Sequence, residues 1–219
     1  MRSILDGVRR FETTERPRYQ AKFAKLAHGQ EPHALFITCA DSRVVPNLVA
    51  SADPGELFVV RNVANLVPPP ADSESGGDSS VASAIWYALE VLNIRDVVVC
   101  GHSGCGGIRA LLGPPPPSAA LRRWLAPAAA ALEIWRERGA LDPSFAEDDQ
   151  VSQISTLQQL SHLQSYEHVQ ARVASGDVRL HAWWFDIPSS RLLAYSNECG
   201  RYIPVMDALG IGPTAAAAE

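Results

Sequence analysis

Two thiols and an imidazole stand in two short segments of this chain. Cys39 is followed at alternate positions by Asp41 and Arg43, and 63 positions after Cys39 comes His102, with Cys105 three residues on. Cysteine thiolates and neutral imidazole are donors that hold zinc, and three protein ligands leave a fourth tetrahedral position for water or substrate. With Cys39 and Cys105 as thiolates and His102 neutral, bound Zn²⁺ gives a formally neutral site. The metal lowers the pKa of its water to about 7 in favourable sites. The zinc-bound hydroxide so formed suits attack on a small electrophilic carbon.

Asp41 and Arg43 are placed for a second task. Alternate residues of an extended segment point the same way, so Cys39, Asp41 and Arg43 can line one side of a pocket. An Arg43–Asp41 pair would keep the carboxylate ionised and oriented, leaving an oxygen to accept a hydrogen bond from the nucleophile. Without that restraint Asp41 could swing onto the metal, so the pair is a candidate gate. Gly101, Gly104, Gly106 and Gly107 surround the second half-motif, and Gly106 opens a segment whose amides could face a bicarbonate-like anion. Taken singly, each residue has a plainer reading: a packed cysteine, a structural histidine, a surface ion pair. Cys100 and Cys199 keep that plainer reading.

The elements that must position these residues follow from pattern. HALFITCADSR is a short apolar run that turns polar at Cys39, a buried strand emptying into a loop. Asp53-Pro54-Gly55 is a turn signal before a second buried strand, ELFVVRNVANLV, and the stretch from Pro68 to Gly77 is loop by composition. A helix fits VASAIWYALEVLNI. VVVCGHSGCGG is a third strand running into a glycine-rich turn that carries His102 and Cys105. Gly113 and Pro114 to Pro117 close the next helix, and helix resumes from about Leu121 to Arg138 with a break at Pro127. A long amphipathic helix is expected from Val151 to Val173, then a strand pair, VRLHAWWFDI and RLLAYSN, joined through Pro188-Ser189-Ser190. Ile4, Val8 and Phe11, then Phe23 and Leu26, suggest two N-terminal helices on either side of Pro17.

The expected fold class is α/β: a central, mostly parallel β-sheet with an antiparallel edge strand, flanked by helices, plus an N-terminal helical arm. Residues 1–30 form the arm and 31–219 the α/β zinc-binding catalytic domain. Both half-motifs fall at strand carboxyl ends, where ligands gather in such sheets.

The chain has 219 residues and a formal net charge of -5, with no long basic run, which argues against nucleic acid or an anionic membrane surface as partner. No apolar run is long enough for a membrane span, and the N-terminus lacks a signal-peptide pattern, so a cytoplasmic location is expected. Four cysteines in a chain of this length do not make a disulfide framework.

At these residues the sequence resembles the β-class carbonic anhydrases. CADSR, PGELFVVRNVANLV and GHSGCGGI stand in order at the family's spacing, with similarity from about Gln30 to about Ser196. The resemblance implies reversible hydration of carbon dioxide to bicarbonate and a proton. It implies zinc on Cys39, His102 and Cys105, and the Asp41–Arg43 dyad in the role argued above. It further implies that Gln30 donates a hydrogen bond to substrate oxygen and that Phe58, Val63 and Tyr87 line an apolar pocket for carbon dioxide. Some bacterial members are regulated by bicarbonate in a non-catalytic pocket that uses a Trp three residues before the first zinc cysteine. Phe36 stands there in this chain, which implies the plant-like, pH-tolerant type. Family members assemble as homodimers or higher homo-oligomers, with N-terminal helices wrapping the neighbour. Three alternatives remain at this point: a carbon disulfide or carbonyl sulfide hydrolase on the same scaffold, a structural zinc protein closed by Asp41, and a Cys105 nucleophile with His102 as base.

Overall fold

The computed structural model describes residues 1–70 and 79–211. In chain order the helices are α1 (Arg2–Arg10), α2 (Arg16–Leu26), α3 (Pro46–Val49), α4 (Ser79–Trp86), α5 (Gly106–Leu112), α6 (Ala119–Leu125), α7 (Ala129–Arg138), α8 (Glu147–Gln164), α9 (Glu167–Ala174) and α10 (Val205–Ala208). The strands are β1 (Ala34–Cys39), β2 (Leu57–Asn62), β3 (Asp96–His102), β4 (Arg179–Asp186), β5 (Arg191–Ser196) and β6 (Arg201–Pro204). They form one sheet of six strands in the order β2-β1-β3-β4-β5-β6. The first four are mutually parallel, and β4-β5 and β5-β6 are antiparallel. The expected antiparallel strand is β5, and one further short strand, β6, pairs antiparallel to it at the edge. β6 was not anticipated because it is four residues long and ends in Pro204, which suits an edge.

Both faces of the central strands β1 and β3 are covered, which is why they read as continuous apolar runs. Leu35 and Ile37 of β1 pack with Val97 and Val99 of β3, against Ile85, Leu89 and Leu163. Phe36, Val98 and Cys100 face the other way, with Val44 and Phe185. Fully burying a side chain of this size stabilises the fold by roughly 1.5–3 kcal/mol.

Three expectations are refined. The N-terminal arm is not two separate helices: α1 and α2 are joined by a π-helical turn at Phe11–Glu15, just before Pro17. The widened turn accommodates a residue that has no N–H and whose ring crowds the preceding turn. The helix over 151–173 is broken between α8 and α9, where the Ser165 hydroxyl donates to the His162 carbonyl and the Tyr166 hydroxyl reaches the Pro68 carbonyl at 2.8 Å. Much of the buried face of α8 is also polar: Ser152, Gln153, Ser155, Thr156 and Gln159 are all buried. Small hydroxyl residues let α8 approach β3 closely, since a Cβ on Gly101 would come within 2.2 Å of Thr156 Oγ1. The loop expected from Pro68 to Gly77 lies mostly outside the described residues. Among the described residues no helix is long and apolar enough to cross a membrane.

Candidate metal centre

Cys39 is the last residue of β1 and His102 the last of β3, and these strands are parallel neighbours paired through Thr38↔Cys100. The ladder alone thus brings the two half-motifs side by side. Gly104, with φ +60, turns the chain so that Cys105 faces back toward Cys39. The sulfurs of Cys39 and Cys105 lie 4.0 Å apart, and the ligand atoms of Cys39, His102 and Cys105 fall within 4.8 Å of one another. Two thiolates on a tetrahedral zinc, at about 2.3 Å each, sit about 3.8 Å apart. The two sulfurs therefore fit zinc with only a small inward adjustment, and the imidazole nitrogen lies beside them.

The histidine is prepared for the same task. His102 Nδ1 donates to the Ser103 carbonyl at 2.8 Å, which leaves the lone pair on Nε2. Nε2 is buried and has no hydrogen-bond partner among the described residues. A fully buried imidazole nitrogen without a partner is costly unless something fills it. Of the two thiols, Cys39 titrates lower than usual because the Cys105 thiol donates to it and the His102 ring also supports its charged form. The Cys105 thiol is held high by that same donation to Cys39 and by burial. Metal binding would draw the second proton off as well. The backbone amides of Gly107 and Ile108, in the first turn of α5, work against that donation and burial by favouring the thiolate. Gly106, the residue between Cys105 and these amides, is exposed.

Asp41 is gripped by Arg43. Nε of Arg43 donates to Oδ1 at 2.9 Å, Nη2 to Oδ2 at 2.7 Å, and the Arg43 backbone N–H to Oδ1 at 3.0 Å. This fork holds the carboxyl well below the usual carboxylate range, so Asp41 acts only as an acceptor. Arg43 Nη2 also donates to the Gly104 carbonyl at 3.0 Å, tying the dyad to the second half-motif. Asp41 Oδ2 lies 4.0 Å from His102 Nε2, so the carboxylate borders the centre while both its oxygens are engaged by Arg43.

Val63 also reaches this region. Ala64 and Asn65 have positive φ, and Asn62 closes the turn through hydrogen bonds to both backbone groups of Leu66. The turn seats Val63 and Ala64 against Gly107, where a Cβ would meet them at 3.1 and 2.9 Å. The other expected substrate residues lie elsewhere within one chain. Phe58 pairs with Leu35, four residues back along β2 from the level of Cys39, about 13 Å at strand rise. It stacks on Tyr87 with ring centroids 5.9 Å apart. Gln30 is exposed in the loop after α2.

Two residues that the sequence reading passed over act on this centre. Arg61 binds the carbonyls of Cys39, Asp41 and Val44. Asp149, in the first turn of α8, accepts from the Gly104 N–H at 2.6 Å, and burial raises its pKa. A charged side chain inside the apolar run ELFVVRNV was the available signal for Arg61. Asp149 carried none, because first-turn acids are common on helices generally. Cys100, by contrast, is a core residue whose thiol is pushed up to about 12 by burial.

A family model described as carbonic anhydrase matches residues 34–192. A carbonic anhydrase of Pseudomonas aeruginosa is 36% identical over 218 residues, covering 94% of this chain and 93% of that protein. One from Synechococcus elongatus is 35% identical, covering 90% and 72%. Among solved structures, the β-carbonic anhydrase CcaA superposes with a TM-score of 0.83 at 30% identity, covering 93% of this chain and 91% of that one. A tetrameric β-carbonic anhydrase of Sordaria macrospora gives 0.75 at 28% identity, covering 88% and 95%. Fold, metal-ligand geometry and these likenesses agree, and the chain belongs to the β-class carbonic anhydrases, which are zinc enzymes.

Proposed function

We propose that this chain catalyses the reversible hydration of carbon dioxide to bicarbonate and a proton. The observation that carries this reading is the set of three converging donors beside an ionised Asp41 that Arg43 engages at both oxygens. Zinc held by Cys39, His102 and Cys105 supplies a Lewis acid that makes water nucleophilic near neutral pH. Asp41 accepts the hydrogen bond that aims the nucleophile, and Arg43 fixes Asp41 so that it does not become a fourth ligand. Val63 offers an apolar wall suited to a nonpolar substrate. Stopped-flow assays should show hydration with kcat/KM above about 10⁴ M⁻¹s⁻¹. Parallel assays on carbonyl sulfide and carbon disulfide decide substrate preference, and hydration below that of either would overturn the reading.

The rest of the substrate pocket, Gln30, Phe58 and Tyr87, is read as the contribution of a second copy of the chain. Supporting this, no residue of α1 is buried, and Ile4, Leu5, Val8 and Phe11 are exposed, an apolar stripe left uncovered among the described residues. Tyr87 itself is 41% exposed. The arm of residues 1–30 then wraps a neighbouring domain of residues 31–219 in a homodimer or larger assembly. Sedimentation should give at least a dimer in the active fraction, and an active monomer would refute this arrangement. The plant-like type is supported by Phe36, which is buried edge-to-face on Trp183 at 5.9 Å. A cytoplasmic location suits the four free cysteines.

A further inference from the structure

The segment from Ala40 to Val45 carries the dyad, yet it lies beyond the end of the β1 ladder. Its local restraints include the Val44 N–H to the Asp41 carbonyl at 3.0 Å and the Ala40 N–H to the Asn62 carbonyl at 2.8 Å. Val44 is buried in the core, and Arg43 reaches the Gly104 carbonyl. A further tie, and one that holds three carbonyls at once, is a single guanidinium. Arg61 Nε donates to the Cys39 carbonyl at 3.1 Å, and Nη2 donates to the carbonyls of Asp41 at 2.7 Å and Val44 at 2.8 Å. The stem of Arg61 is anchored by its place in β2, opposite Thr38. Among the described residues no carboxylate pairs with it, so its donors are free to serve backbone.

We infer that Arg61 is a positioning residue for the hydration reaction: it fixes the backbone path from the zinc ligand Cys39 through Asp41 to Val44, and thereby keeps the Asp41 carboxylate on Arg43 and off the metal. The three bonded carbonyls bracket Asp41 on both sides. They remove the peptide rotations by which its side chain would turn toward His102 Nε2, 4.0 Å from Oδ2. A planar fork with several fixed donors can span three acceptors in this way, whereas an ammonium is a compact point donor. Arg43 alone does not secure the same result, because it holds the side chain and not the backbone from which that side chain projects.

This inference rests on the proposed hydration activity at this centre, but its decisive readout does not. The test uses the full-length protein carrying Arg61→Met or Arg61→Lys, loaded with zinc for kinetics and with cobalt(II) for absorption spectra, each recorded with and without azide. Arg61→Met should retain about one zinc per chain and keep KM within about twofold, while kcat falls about 10- to 100-fold. Its cobalt bands should shift and lose their response to azide, because Asp41 now takes the position the anion would occupy. Adding Asp41→Asn to Arg61→Met should return the azide response. Arg61→Lys should fall between wild type and Met in both kcat and spectrum, and it decides the matter if the Met variant does not fold. Wild-type kcat in either variant, a loss of kcat in proportion to zinc, or an azide response identical to wild type would overturn the assignment. If wild type itself shows no hydration, the functional reading fails, while the cobalt spectra still decide whether Arg61 controls Asp41.

Discussion

Cys39→Ser abolishes hydration and lowers zinc from about one per chain to near zero. Cys39 is 5% exposed and its sulfur faces that of Cys105 at 4.0 Å, so serine enters without crowding and the change is one of donor chemistry. A serine hydroxyl remains protonated at neutral pH and is a poor partner for a borderline-soft cation, whereas the cysteine here is already biased toward its thiolate. Metal analysis alongside stopped-flow kinetics checks the result, with circular dichroism confirming that the variant is folded. A serine variant with full zinc and full rate would contradict the ligand assignment. A metal-free wild type that still turned over would restore the alternative in which Cys105 acts as a nucleophile.

Asp41→Asn is the second large effect: zinc stays bound while kcat falls by about 10²-fold or more. The geometry gives the reason. Nε and Nη2 of Arg43 both point donors at the two Asp41 oxygens, and the depressed pKa of Asp41 keeps it acceptor-only through the working pH range. An asparagine has one oxygen for two donors. If that oxygen serves Arg43, the amide NH₂ turns toward the centre as a donor, the reverse of what orienting the nucleophile requires. Zinc content equal to wild type, together with an undiminished rate, would dispose of the role assigned to Asp41. The structural-zinc alternative meets the same experiment, since it predicts no hydration in either protein.

How far the sequence foretold this centre differs residue by residue. Cys39, Asp41 and Arg43 were legible because an apolar run breaks into polar residues at a strand end. His102 and Cys105 were legible because a second run does the same into glycines. Local pattern cannot state which strands are neighbours, but a parallel sheet with both half-motifs at carboxyl ends makes their meeting the economical outcome. The task of Arg61 was hidden because its partners are backbone carbonyls, which have no signature in the sequence. The apolar positions expected to face the core, Val151, Ile154 and Leu163, are buried in α8, but the polar residues buried beside them were not legible: Ser152 donates to the His102 carbonyl and accepts from Trp184 Nε1, partners distant in sequence. Phe58, Tyr87 and Gln30 were chosen by position in a motif, and one chain does not carry them to the metal ligands.

The pairing of β1 with β3 bears on what remains when the metal is removed. In small zinc modules the metal's binding free energy is also the folding free energy, and the apo form has no structure to populate. Here the hydrogen-bond ladder and the core on both sheet faces set Cys39 beside His102 on their own terms. Removal of the metal by a chelator should therefore leave the far-UV circular dichroism of the sheet and helices in place while hydration is lost, and unfolding on chelation would contradict this.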